Sequence, residues 1–157
     1  MKNGQTIHKT KGRGLAIFCL VFLMWACKDT VFFSSVPSCA VQFDLNIWGE
    51  YPHFVTGNGF QTMRFTKKRT DLDYLGYAGL LIWVDMNEKY CAADLCCPHC
   101  LKRDKPLEID GFYAVCPVCG EQYDLSFGIT NPTQGISNEM LRRYTTIFAN
   151  GHLHVSP

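Results

Sequence analysis

Neither sign of charge is in excess in this sequence, which has 15 basic and 14 acidic residues over 157 positions. The balance gives no electrostatic reason to expect a nucleic-acid partner. The chain also lacks a recognisable serine–histidine–aspartate set or pair of catalytic carboxylates, and no small-molecule substrate is evident, so we do not expect an enzyme. Internal repeats and long helical periods are missing as well, which argues against solenoid and helical-bundle architectures.

The N-terminal segment has too short an apolar run for a comfortable membrane-spanning helix. Residues 14–26 are uncharged and apolar, whereas about 20 residues are needed to cross a bilayer. A basic segment precedes this run and Ala26-Cys27 ends it, an order that is typical of a secretory signal peptide and resembles a bacterial lipobox. We therefore predict a signal peptide over residues 1–26, lipidation of Cys27 and a tether over residues 27–35.

The predicted signal peptide and lipidation site imply a cellular location and a membrane partner. The rest of the chain is expected in the bacterial cell envelope, lipid-anchored in the periplasm or at the outer membrane, with the membrane as a partner through the lipid. An alternative is an uncleaved anchor helix that ends at a buried Cys27.

Short alternating segments dominate the remainder of the chain. Apolar and polar residues alternate over residues 41–47 and 60–66, as in half-buried strands, and turn residues recur about every ten positions. Further strands are predicted over residues 79–84, 90–95, 111–115, 122–125, 144–148 and 153–155. The pattern predicts an all-β domain over residues 36–157, an antiparallel sandwich or small barrel.

The number and spacing of the cysteines indicate metal binding rather than a disulfide framework. Nine cysteines less Cys19 and Cys27 leave seven, an odd number that does not suit a simple disulfide framework. Two tight groups, Cys97-Pro98-His99-Cys100 and Cys116-Pro117-Val118-Cys119-Gly120, instead have the spacing of metal ligands. The others, Cys39, Cys91 and Cys96, are expected to be core residues or a disulfide.

The metal ligands can be chosen in two ways. Thiols alone give C-x2-C-x15-C-x2-C with Cys100 included, a spacing typical of a tetrahedral zinc site and able to hold a single iron. Taking His99 in place of Cys100 gives a set for a [2Fe–2S] cluster, with Cys97 and Cys116 on one iron and His99 and Cys119 on the other. Thiols without a metal are the third alternative.

From about residue 79 to residue 155 the chain resembles a Rieske domain. The likeness rests on an ordered series of residues: Cys97-Pro98-His99, Cys116-Pro117, Gly120, Tyr123-Asp124, Gly128, Pro132, Leu141 and Tyr144. The segment before it resembles the N-terminal part of exported Rieske-like lipoproteins of Bacteroidetes. Three residues depart from the Rieske pattern: Cys119 replaces the second histidine ligand, Glu121 replaces a frequent serine, and Cys100 follows His99 directly.

The resemblance implies a Rieske-like β fold with two metal-binding loops at one end, in a subdomain over about residues 95–128. Cys119 excludes a two-cysteine, two-histidine centre, so the implied ligands of a [2Fe–2S] cluster are Cys97, His99, Cys116 and Cys119, with Cys100 as the alternative. The implied function is electron transfer or redox sensing with a redox or envelope protein as partner. The alternative is a non-redox accessory or interaction lipoprotein whose scaffold is held by zinc or disulfides.

Overall fold

The computed structural model describes residues 33–157, which form eleven β-strands and one short helix. The all-β prediction is therefore confirmed, while the predicted signal peptide and Cys27 lie outside the described residues. Within the described part of the chain, no helix has the length and apolarity needed to cross a membrane. The elements are β1 (Val41–Asn46), α1 (Ile47–Glu50), β2 (Gln61–Phe65), β3 (Tyr74–Leu75), β4 (Leu80–Val84), β5 (Tyr90–Asp94), β6 (Glu108–Asp110), β7 (Tyr113–Val115), β8 (Gln122–Asp124), β9 (Pro132–Gln134), β10 (Arg143–Ala149) and β11 (His152–Ser156).

The strands form two antiparallel sheets. One has seven strands in the order β2-β4-β5-β10-β11-β1-β3, and the other has four in the order β6-β7-β8-β9. Predicted strands that follow one another along the chain form two hairpins, β4 with β5 and β10 with β11. Asn150 and Gly151 join the second hairpin with φ angles of 52° and 81°, the positive values that a tight two-residue turn requires.

Strand β4 separates two hydrophobic cores, and all five of its side chains are buried. Leu80, Ile82 and Val84 point into the first core, with residues of β1 and β11. The intervening Leu81 and Trp83 point into the second core, which lies against the four-stranded sheet. A strand buried on both faces is an unbroken apolar run, which is why residues 79–84 show no alternation.

The second core extends to the cysteine groups. It contains the side chains of Cys97, Cys116 and Tyr123 together with Leu95 and Leu107. Trp83 ties the two sheets, because its indole Nε1 donates to the carbonyl of Leu125 at 2.8 Å. Cys97 and Cys116 are therefore packed in the second core, and burial limits their movement.

Candidate metal centre

Each cysteine group occupies a loop that leaves the end of a strand. The first Cys loop (residues 96–101) follows β5, and the second Cys loop (residues 116–120) follows β7. As expected from the sequence, the two loops come together, in the region that bears the four-stranded sheet. This sheet runs from residue 108 to residue 134, somewhat beyond the subdomain predicted over residues 95–128.

The two loops have the same backbone hydrogen bond. The amide of Leu101 donates to the carbonyl of Cys97 at 2.9 Å, and the amide of Gly120 donates to the carbonyl of Cys116 at 2.9 Å. Leu101 and Gly120 both have a positive φ, 52° and 74°. Leu101 is thus the counterpart of Gly120, four residues after the first cysteine, and Cys100 is the counterpart of Cys119.

Four thiols converge where the loops meet. The Sγ atoms of Cys97 and Cys119 are 3.8 Å apart, and those of Cys100 and Cys116 are 3.9 Å apart. All four lie within 4.8 Å of one another. A tetrahedral ion with metal–sulfur bonds of about 2.3 Å separates its ligands by about 3.8 Å. The donor set therefore fits one thiolate-bound ion.

Burial orders the four thiols from the core to the surface. Cys97 and Cys116 are buried, Cys100 is half-buried and Cys119 is exposed. The centre consequently has one edge in the second core and one edge that solvent or another protein can reach.

His99 lies on the outer side of the thiol cluster. Its side chain is exposed, and its Nδ1 is 3.9 Å from the Sγ of Cys100. It belongs to a second donor group with Cys119 and Glu121, whose ligand atoms also lie within 4.8 Å of one another. The structure thus brings together every ligand considered from the sequence, and the choice between His99 and Cys100 stays a prediction.

Burial and hydrogen bonding act in opposite directions on the pKa values of the two buried thiols. Burial raises the pKa of the Cys97 thiol to about 11, against hydrogen bonds from the Tyr123 hydroxyl and the Cys100 amide. Burial also raises the pKa of Cys116, but amide hydrogen bonds from Cys119 and Val118 outweigh it, so the net pKa is lowered. A bound metal ion would displace the remaining protons, because only thiolate ligates.

Tyr123 belongs to the series of residues that resembles a Rieske domain, but the sequence does not show what its side chain contacts. Its hydroxyl lies 3.4 Å from the Cys97 Sγ inside the second core. Burial raises the pKa of this phenol, with the neighbouring Cys97 as a further cause. The hydroxyl therefore stays protonated and acts as the donor when Cys97 is a thiolate.

Asp94, the last residue of β5, stabilises the first Cys loop through hydrogen bonds. The sequence does not indicate this role, because it shows only an acidic residue at the end of a predicted strand. The carboxylate is fully buried and accepts from the amides of Tyr77, Ala78 and Cys96 and from the Tyr144 hydroxyl. The Cys96 contact fixes the residue that precedes the first ligand, so Asp94 is a positioning residue for the centre.

The remaining cysteines are free thiols within the described residues, with Cys91 and Cys96 buried and Cys39 half-buried. The expectation of a core position holds for Cys91 and Cys96, whereas Cys39 belongs to neither core. Burial raises the pKa of Cys96 to about 12, which keeps this thiol protonated and unreactive.

Comparisons with known proteins give one distant structural likeness. A solved structure described as a complex of reduced oxygenase and oxidized ferredoxin in carbazole 1,9a-dioxygenase matches 60% of this chain and 79% of its own, at 16% identity and a TM-score of 0.40. At that identity and TM-score, the match does not bear on what this chain binds. No family model matches the sequence, and no curated protein matches it.

Proposed function

We propose that the protein is an electron-transfer protein in which Cys97, Cys100, Cys116 and Cys119 hold a single iron ion. The observation that carries the choice of ligands is the equivalence of the two Cys loops, which gives Cys100 the place that Cys119 has in the other loop. The thiol separations of 3.8 and 3.9 Å support the same four ligands.

The arrangement of the centre suits exchange of one electron with another protein. Bound iron supplies a one-electron couple whose potential depends on hydrogen bonds to sulfur and on exposure. The Tyr123 hydroxyl and the Cys100 amide contact the Cys97 sulfur, and these hydrogen bonds would tune the potential of an iron held there. The exposed Cys119 offers a short path to a redox protein, which is the partner we propose.

A [2Fe–2S] cluster is the second candidate, because of one observation about burial. The buried pair Cys97 and Cys116 could hold an inner iron, and the surface pair His99 and Cys119, which lie within 4.8 Å, an outer iron. Against it stands the 3.8 Å between Cys97 and Cys119, since ligands on different irons of a sulfide-bridged pair are held farther apart.

Redox titration of the anaerobically purified chain tests the electron-transfer proposal. The oxidised protein should be red, and one electron per iron should bleach it reversibly. A colourless protein that contains one zinc and takes up no electron would contradict the proposal, leaving the non-redox accessory or interaction protein as the function.

Attachment to a membrane is the remaining part of the proposed function, and it depends on Cys27. Cells grown with a palmitate analogue should label the wild-type chain but not the Cys27→Ser variant, because only the cysteine can be acylated at a lipobox. Equal labelling of the two chains would refute the lipid anchor and would leave the proposal for the metal centre unaffected.

A further inference from the structure

The metal centre has more donor groups than one tetrahedral ion uses. Four thiols make one group, and His99, Cys119 and Glu121 make a second group that shares the Sγ of Cys119. Since a tetrahedral ion is complete with four ligands, His99 and Glu121 are left without a role in a four-thiolate site.

Glu121 is the residue that a single ion leaves unexplained. Its side chain is only 1% exposed. One carboxylate oxygen, Oε1, accepts from the Ser137 amide at 2.7 Å. The other, Oε2, faces sulfur, at 3.9 Å from Cys97 and 4.0 Å from Cys119. None of the ion pairs formed by residues 33–157 includes it.

A carboxyl group buried beside thiolates either takes up a proton or has a positive charge close by, and a metal ion at its oxygen would supply that charge. Four thiolates and the Glu121 carboxylate carry five negative charges, of which one divalent ion compensates two. A second divalent ion at the Glu121 oxygen compensates two more, and would remove most of the cost of burying this carboxylate.

The Glu121 side chain is also held in place. A Cβ added at Gly135 would lie 2.5 Å from the Glu121 Cγ, so the chain at Gly135 packs directly on this side chain. With Ser137 holding Oε1, the oxygen Oε2 is directed at the thiols. Both contacts come from the segment after β9, which therefore shapes the second donor group.

We propose that His99, Cys119 and Glu121 bind a second divalent transition-metal ion, with the Cys119 thiolate bridging the two ions. This inference rests on the proposed four-thiolate site. Nitrogen, oxygen and sulfur donors together suit Zn²⁺, Co²⁺ or Fe²⁺. Three protein ligands leave one position of a tetrahedron for water, and because His99 and Cys119 are exposed, solvent can reach the second ion.

Anaerobic titration of the reduced, metal-free full chain with Co²⁺ tests the proposal. The first equivalent should give the intense sulfur-to-cobalt absorption of a four-thiolate site, and a second should bind more weakly. A thiolate bridge couples the two ions, so the electron paramagnetic resonance signal should grow with the first equivalent and fall with the second. His99→Ala and Glu121→Gln should each bind one equivalent only.

The control is His154→Ala, which removes an exposed histidine from strand β11 and should retain both equivalents. If the wild type binds one equivalent, the second site is refuted and the four-thiolate site stands. No uptake at all would refute both sites. Two equivalents in every variant would show that the second ion binds elsewhere, and two sulfide-bridged irons in the native protein would also overturn the proposal.

Discussion

Replacing Cys100 with alanine is expected to lower the affinity for the first metal ion by more than about 100-fold, a loss at least as large as that from removing a residue that only orients a ligand. Cys100 is the counterpart of Cys119 in the other loop, and its Sγ lies 3.9 Å from that of Cys116. Its removal leaves three thiolates and opens the site to water. The measurement is competition with a chromophoric chelator under anaerobic conditions.

The matched variant at the neighbouring position is His99→Ala. This variant should keep the first ion and its visible spectrum, because His99 is exposed and outside the four-thiol group. The opposite order, with metal lost from His99→Ala and kept by Cys100→Ala, would show that a [2Fe–2S] cluster with His99 as a ligand occupies the centre.

A large loss of stability is expected for Asp94→Asn. The carboxylate Oδ1 accepts from the amides of Ala78 and Cys96, and Oδ2 accepts from the Tyr77 amide and the Tyr144 hydroxyl. Asparagine has one acceptor oxygen, so its amide group would face two donors inside the protein. We expect the free energy of unfolding to fall by about 3 kcal/mol or more, measured by urea denaturation of the metal-free chain.

Two further variants give smaller expected losses in the free energy of unfolding, for comparison with Asp94→Asn. Tyr144→Phe removes one of the four hydrogen bonds to Asp94 and should cost about 1–2 kcal/mol. Asp71→Asn alters an exposed carboxylate and should stay within about 0.5 kcal/mol of the wild type. A value for Asp94→Asn as small as that for Asp71→Asn would contradict the role given to Asp94. Metal affinity should fall with Asp94→Asn as well, because Cys96 precedes the first ligand.

Strands within a clear sequence pattern could be predicted, and the short strands at the ends of the sheets could not. The alternation over residues 41–47 marks β1, and the unbroken apolar run over residues 79–84 marks β4 between two cores. Strands β3, β6 and β9 were missed because their two or three residues are too few for any alternation. Strands β7 and β8 also have three residues, but they lie within the longer segments predicted over residues 111–115 and 122–125. All three lie at the ends of their sheets, where pairing with a single neighbour decides their conformation.

The ligands were recognisable from spacing, but the equivalence of the two loops was not. A glycine such as Gly120 indicates a positive φ already in the sequence, whereas Leu101 adopts a positive φ that its residue type does not indicate. The turn after Cys119 can therefore be predicted from the sequence, and the matching turn after Cys100 cannot. The resemblance to Rieske domains favoured His99 as a ligand. The backbone geometry instead favours Cys100, because it makes Cys100 the counterpart of Cys119.

The supporting residues could not be predicted, because their roles depend on contacts across the fold. Tyr123 contacts a ligand 26 positions away in the sequence, and Asp94 accepts from Tyr144, 50 positions away. Glu121 was recognised as a departure from the Rieske pattern, but its burial against the thiols follows only from how the chain at Gly135 packs on it.

X-ray absorption spectroscopy at the metal edge of the protein loaded with one equivalent of iron tests the central claim most directly. A site formed by Cys97, Cys100, Cys116 and Cys119 predicts four sulfur neighbours, at about the 2.3 Å known for thiolate ligation of such ions, and no second metal atom nearby. A mixed shell of sulfur and nitrogen with a short iron–iron distance would contradict the account, since it would place His99 in the centre and a bridged cluster between the loops.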